Sequence, residues 1–379
     1  MSNILSEEQV MLRDMAKSFF AEKAPVSLHR ELRHNTDSQG FSAALWQEML
    51  AMGWAGIDVG EAYDGLGFGF RGLGIVMEEA GRTLAASPLL STVVLGAGAI
   101  QLGGSDAQKQ ALLPEVVAGN LLLAMAIDEG AHHDPGQTCL AAMPEGDSFV
   151  LNGSKDFVID GNIADKLVVA ARTSGDAGST AGLTLFLVDA DAEGLTVHAR
   201  KMVDSHNTAT LQFSHVMVSG SDVLGQIDAG AEVLEATLDR GRIALAAEML
   251  GAMQQAFENI LDYLKERKQF GTTIGSFQAL QHRAAMMFSD IEQCKSVVYE
   301  ALGAAEDSRD DLPQLASMAK AMVNHAYHNI SSEGIQMFGG MGMTDECDMG
   351  FYLKRARVAE QSLGSASYHQ SRFATLNGF

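Results

Sequence analysis

Apolar and polar positions alternate with two different periods along this chain, and the change of period divides it. Up to about residue 118 the spacing is helical. Leu5, Val10, Leu12, Met15, Phe19 and Phe20 form an apolar face broken by acids and bases, and Ser6 before Glu7 and Glu8 marks a helix start. Residues 71–86, 92–102 and 105–118 read as further helices. The Gly-rich stretch 58–69 has neither GxxxxGK[ST] nor GxGxxG after a strand, so it reads as a connection. From about 119 to 225 the runs LLLAMAI, DSFVLNGSK, DFVI, KLVVAART, LTLFLVDA, LTVHAR and LQFSHVMV are short and β-rich, separated by Gly, Asp and Asn. They predict a small antiparallel barrel or sandwich. Residues 173–180, rich in Gly and Ser, predict a flexible loop. From 226 the helical period returns. Ile243, Ala247, Leu250, Phe257, Leu261 and Leu264 predict a long helix with one buried face.

That helix ends in KERKQFGTTIGSFQALQ, residues 265–281. Glu266, Arg267 and Lys268 close it with charge, Gly271 breaks it, and a polar turn leads to a second helix near Phe277. An Arg offers a fixed fork of donors to phosphate oxygens, and a Phe offers a flat face to an adenine. From the residues alone the stretch is either a cradle for a diphosphate or a helix hairpin with a solvated basic corner.

Composition narrows the choice of partners. The 379 residues suffice for two or three domains, and the mean hydropathy of +0.04 is that of a soluble globular chain. A net charge of −22 argues against nucleic acid and against anionic membrane surfaces. An anionic ligand would need its few Lys and Arg placed locally. Cys139, Cys294 and Cys347 spell neither a metal site nor a disulfide framework, which suits a reducing cytoplasm. His132 and His133 are adjacent in a loop and lack the i, i+4 geometry of a helical zinc pair, so no metal is expected. No signal peptide and no membrane span are expected either.

RKQFGTTIGSFQALQ resembles the flavin-binding turn of the acyl-CoA dehydrogenases. LSEEQVMLRDMAKSFF, GWAGIDVGEAYDGLGFGF and GIQMFGGMGMT match that family in order and spacing, over nearly the whole chain. The resemblance implies an α+β fold: a helical domain at 1–118, a β-barrel or sandwich domain at 119–225, and a four-helix-type domain at 226–379. It implies FAD, placed between the β domain and the C-terminal helices, and an acyl-CoA substrate. Arg267, Phe270 and Gln278, with Gln336, Gly339 and Gly340, would bind FAD, the turn serving a neighbouring subunit's cofactor. Phe157 in GSKDFVIDG matches an aromatic that flanks the flavin. Asp128 and Glu129 match the start of a flavin-contacting loop, whose remainder, GAHHDPGQT, departs from the family. The electron-transferring flavoprotein is the acceptor implied, and the assembly implied is a homotetramer or an α2β2 tetramer. LDRGRIALAAEMLGA and GSKDFVIDG resemble the subunits of steroid-type α2β2 members.

Desaturation of a thioester needs a base for the α proton while the β hydrogen leaves as hydride. The family places its Glu at one of two positions, matched here by Leu363 and Gly241, and neither is a carboxylate. Glu248 lies seven residues beyond Gly241, on nearly the same helix face but about 10 Å along the axis. Its AAEML setting makes it the preferred catalytic candidate. Asp239 points about 200° away from Gly241 around the helix and is expected to be solvated. The resemblance therefore leaves an enzyme with a relocated base, a subunit whose partner supplies the base, or a flavin monooxygenase of the same fold.

Overall fold

The computed structural model describes residues 5–35 and 39–379. Helix α1 (Glu7–Lys23) begins where Ser6 predicts. Its hydroxyl accepts the Gln9 N–H, while the Gln9 side chain accepts from the Ser6 N–H, a reciprocal cap. Helices α2 (Val26–His34), α3 (Ala43–Ala51) and α4 (Phe70–Arg82) follow. The helix expected at 92–102 is instead a π-helix over Leu89–Ala97, continued by α5 (Gly98–Gly103). Every residue of LLSTVVLGA is buried. A run that is buried all round carries no amphipathic period by which α and π could be told apart. Helix α6 (Asp106–Val117) closes the first helical stretch with another reciprocal cap, Ser105 with Gln108.

The middle of the chain holds β1 (Leu123–Ala126), β2 (Ala141–Glu145), β3 (Ser148–Ile159), β4 (Lys166–Arg172), β5 (Leu183–Asp189), β6 (Leu195–Lys201), β7 (Asn207–Ser219) and β8 (Val223–Leu224). They form one sheet in the order β6-β7-β3-β2-β4-β5-β8. The sheet is not purely antiparallel, because β1 and β2 both pair with β4 in parallel. DSFVLNGSK and DFVI are a single strand, β3, whose register against β7 shifts between Lys155 and Val158. That bulge gives the apolar pattern its break.

Helix α7 (Gly230–Glu266) is the long helix expected. A short hairpin, β9 (Lys268–Gln269) and β10 (Thr272–Thr273), joins it to α8 (Gln278–Glu306). Helices α9 (Leu312–Phe338), α10 (Met349–Gln361) and α11 (Ala366–Leu376) complete the chain. The order helical, β-rich, helical is the one expected. Among the described residues no helix is long and apolar enough to cross a membrane.

The chain packs as two compact units. One comprises Met1–His34, Phe70–Ala85 and Arg242–Phe379, the other Asn35–Gly69 and Ala86–Gly241. In the first, α7 is buried on more than the one face expected, since Arg242 to Ala247 are all fully buried. The next turn of α7 makes a close crossing with α4. A Cβ on Gly251 would fall 1.8 Å from the Glu78 carbonyl oxygen, and one on Gly81 would fall 1.9 Å from that of Glu248. Only glycines let the two backbones touch. In the second unit the sheet encloses an apolar core that includes Leu151, Val169, Phe186, Leu211 and Val216, all at 0% exposure.

Candidate functional site

In the first unit the two segments expected to hold a diphosphate come together. The β9–β10 hairpin turns on Phe270 (φ 52°) and Gly271 (φ 79°). Two left-handed central residues make the tight turn that suits a twisted hairpin. Gly takes this conformation freely; Phe takes it under strain, and its ring is 92% exposed. The hairpin is closed onto the end of α7 by Ile274 N–H donating to the Arg267 carbonyl at 2.8 Å. One turn before Arg267, Tyr263 stacks on Phe338 at the end of α9, with centroids 4.2 Å apart and planes 12° apart. The end of α7 that leads into Arg267 thereby packs on the end of α9 that leads into Gly339 and Gly340. Arg283 of α8 and Glu333 of α9 pair at 2.9 Å and tie α8 to α9.

These residues fit a flavin dinucleotide. Arg267, Phe270, Gln336, Gly339 and Gly340 are all exposed. A Cβ built on Gly271, Gly339 or Gly340 would meet nothing within 4 Å, so no neighbour in the chain demands a glycine there for space. Gly339 adopts φ 61° and ψ −139°, which only glycine tolerates. Gln278 begins α8 immediately after the exposed Phe277.

In the second unit the β3 bulge puts Phe157 at φ 54° and leaves it 43% exposed. Its side chain is not part of the sheet's apolar core. The loop after β1 departs from the family in sequence, yet it is tightly organised. Glu129 accepts the N–H groups of Cys139 and Leu140 at 2.8 and 2.9 Å. The fully buried Lys155 donates to Glu129 at 2.8 Å and to the Ile127 carbonyl at 2.7 Å. Burial pushes the Lys155 ammonium down from its ordinary pKa, against the pull of Glu129. His133 Nδ1 lies 2.9 Å from Asp128 Oδ2, with the ring 2% exposed. It is thus a paired, buried group, and no cluster among the described residues could hold a metal.

Arg172 organises this loop and the next. Its guanidinium donates to the carbonyls of Thr138, Ala181, Gly136 and Ser179 at 2.8 to 3.2 Å. Residues 173–180, expected as a flexible loop, are therefore tied to the loop after β1. Lys155, Arg172 and Tyr263 were not singled out from the sequence. Tyr263 alone left a trace, lying four residues before Arg267 on one helix face.

The positions expected to matter for proton transfer hold no free carboxylate. Leu363 is buried, with φ 57°, and its carbonyl lies 3.0 Å from His369 Nε2. Gly241 is buried within α7. Asp239 is 2% exposed and not solvated as expected, because this part of α7 lies among the buried residues Thr237, Leu238 and Arg242. Glu248 does sit in a partly buried place, but Arg355 Nε and Nη2 both reach its Oε1 at 2.7 Å. Protonating Glu248 would break that charge-assisted pair.

Family models of the acyl-CoA dehydrogenase N-terminal, middle and C-terminal domains match residues 6–120, 126–216 and 228–374. A probable acyl-CoA dehydrogenase of Bacillus subtilis, YngJ, is 30% identical over 96% of this chain and 96% of its own length. The chain belongs to the acyl-CoA dehydrogenase family. Subunit CarC of the caffeyl-CoA reductase-Etf complex of Acetobacterium woodii is also 30% identical, over 96% of this chain and 97% of CarC. A solved steroid acyl-CoA dehydrogenase variant, Tcur3481-Tcur3483, superimposes with a TM-score of 0.88 at 32% identity over 98% of both chains. As a member of this family the chain is an FAD-dependent oxidoreductase of the acyl-CoA dehydrogenase type.

Proposed function

We propose that this chain takes part in the α,β-dehydrogenation of an acyl-CoA thioester, and that a related partner chain supplies the proton acceptor. One contrast carries the reading. The flavin segments Arg267–Phe270 and Gln336–Gly340 are present and face outward, while Leu363 and Gly241 are not carboxylates and Arg355 holds Glu248. When bound, FAD supplies the two-electron acceptor. This chain's residues do the binding and orienting. Arg267 and Gln336 offer donors to diphosphate oxygens, the Phe270 ring offers a face to the adenine, and Gln278 adds an amide. Phe157, outside the sheet's apolar core, offers an apolar flank to the flavin ring. Catalysis by Glu248 itself is the second reading. It would require the substrate to displace the Arg355 pair.

The partner is read as a chain of related fold in an α2β2 tetramer, the assembly that the resemblance to steroid-type members implies; the 32% identity to the Tcur3481-Tcur3483 steroid acyl-CoA dehydrogenase supports that resemblance. Phe270, Met286 and Phe288 are more than half exposed around the hairpin and α8, an apolar surface suited to a neighbouring chain. An electron-transferring flavoprotein is the proposed electron acceptor, as the CarC relative's Etf complex suggests.

The test is flavin reduction in a single turnover by a panel of acyl-CoA esters, with the chain alone and with a co-expressed partner carrying Glu at the Leu363 or Gly241 position. Reduction with the partner only is expected, because a general base contributes about 10²–10⁴-fold. Full-rate bleaching by the chain alone, abolished in Glu248→Gln, would replace the partner with Glu248. Light scattering that finds a stable flavin-loaded monomer would rule out the assembly.

A further inference from the structure

The glycine turn after α9 is gripped on both sides. Before it, the Tyr263 ring covers Phe338, and the Tyr263 hydroxyl donates to the Phe338 carbonyl at 3.4 Å. After it, Arg30 of α2 holds the descending loop. Arg30 Nη1 donates to the Asp345 carbonyl, and Nη2 pairs with Asp348 Oδ1 at 2.5 Å. The Arg30 guanidinium also lies over the Phe351 ring, 4.6 Å from its centroid, and Arg33 pairs with Asp345. Between the two grips lie Gly339, in its glycine-only conformation, and Gly340, both facing open space.

We propose that Tyr263 and Arg30 are positioning residues for the adenylate and diphosphate part of FAD. Together they preset the Gly339–Gly340 turn so that its peptide groups meet the diphosphate without reordering. This rests on the reading that the turn binds FAD.

The physical reason is entropic. A glycine pair gives up more conformational freedom on ordering than any other pair, and a turn left loose would lose that freedom on binding. Fixing its flanks in the folded protein shifts that loss out of the binding step, the ordinary gain from preorganisation. A stacked ring and a guanidinium bonded to both backbone and carboxylate leave little play at either end. The grips also cross from α7 to α9 and from α2 to the loop before α10, so no single helix could hold the turn alone.

The experiment compares FAD with FMN, which lacks the adenylate and the diphosphate linkage. The purified holoprotein is stripped of flavin, and dissociation constants are measured for both flavins in the parent and in Tyr263→Phe, Tyr263→Leu and Arg30→Gln. Tyr263→Phe keeps the stack and should bind FAD within a few-fold of the parent. Tyr263→Leu and Arg30→Gln should each weaken FAD about tenfold or more, with FMN little changed. General damage to the fold would weaken both flavins alike, and that result, or unchanged FAD affinity, overturns the proposal. Arg267→Ala with Gln336→Ala serves as the control for the underlying reading. If that double variant keeps full FAD affinity, the turn is not the dinucleotide site; if it loses affinity while the positioning variants do not, only the positioning roles fall.

Discussion

Glu78→Gln is the perturbation whose size the structure defines most directly. Glu78 lies on α4 at the crossing with α7, 6% exposed, with the Tyr299 hydroxyl 3.4 Å from its carboxylate. Burial, and then the neighbouring charge of Glu79, push its pKa up from 4.5 to about 7. The folded state therefore holds this proton more tightly than the unfolded chain does. The stability this contributes is fully present below the unfolded value and is lost as pH rises through the folded one. A rise from 4.5 to about 7 at 1.36 kcal/mol per pH unit corresponds to about 3 kcal/mol, lost across that window. Gln keeps the size and the hydrogen-bonding reach but carries no titrating proton. Urea unfolding of parent and variant at about pH 5 and about pH 8 isolates the effect, since every other titrating group cancels in the difference. The variant should gain on the parent by roughly 2–3 kcal/mol between the two conditions. A gap that does not change with pH would refute the reasoning, and would mean that Lys295 and Tyr299 keep the carboxylate charged inside the fold.

Other outcomes follow from the same unit and its neighbour. Gly251→Ala places a methyl against the Glu78 backbone, so it should lower the thermal midpoint by an amount corresponding to about 1–3 kcal/mol, or prevent folding. Lys320→Met should cost about 1–3 kcal/mol in denaturant titrations, because the buried ammonium serves Asn324 and the carbonyls of Ala359 and Gly364. In an assembly whose partner carries the base, Glu248→Gln should weaken the Arg355 pair and lower the thermal midpoint while flavin reduction stays within a few-fold. Arg172→Gln should release residues 173–182, read as faster proteolytic cutting near Gly175 and Gly178, with the sheet still folded.

The order of helical and β-rich stretches was legible in the chain because it rests on local periods. Ser6 and Ser105 mark helix starts, and the β-rich runs mark strands, whatever the rest of the fold does. The segments proposed for the flavin stand out in the chain because Arg267, Phe270, Gln336 and Gly340 lie in two short motifs. Other features depended on residues far apart in sequence. LLSTVVLGA has no exposed face, so only its packing separates a π-helix from an α-helix. The pairing of β1 with β4 depends on partners about forty residues apart, which no local pattern records. Glu248 shows the limit most plainly. Its apolar setting marks a partly buried carboxylate, but whether it is poised to take a proton depends on Arg355, 107 residues away. Charge pairing is set by distance in space, and the fold alone brings that guanidinium to 2.7 Å.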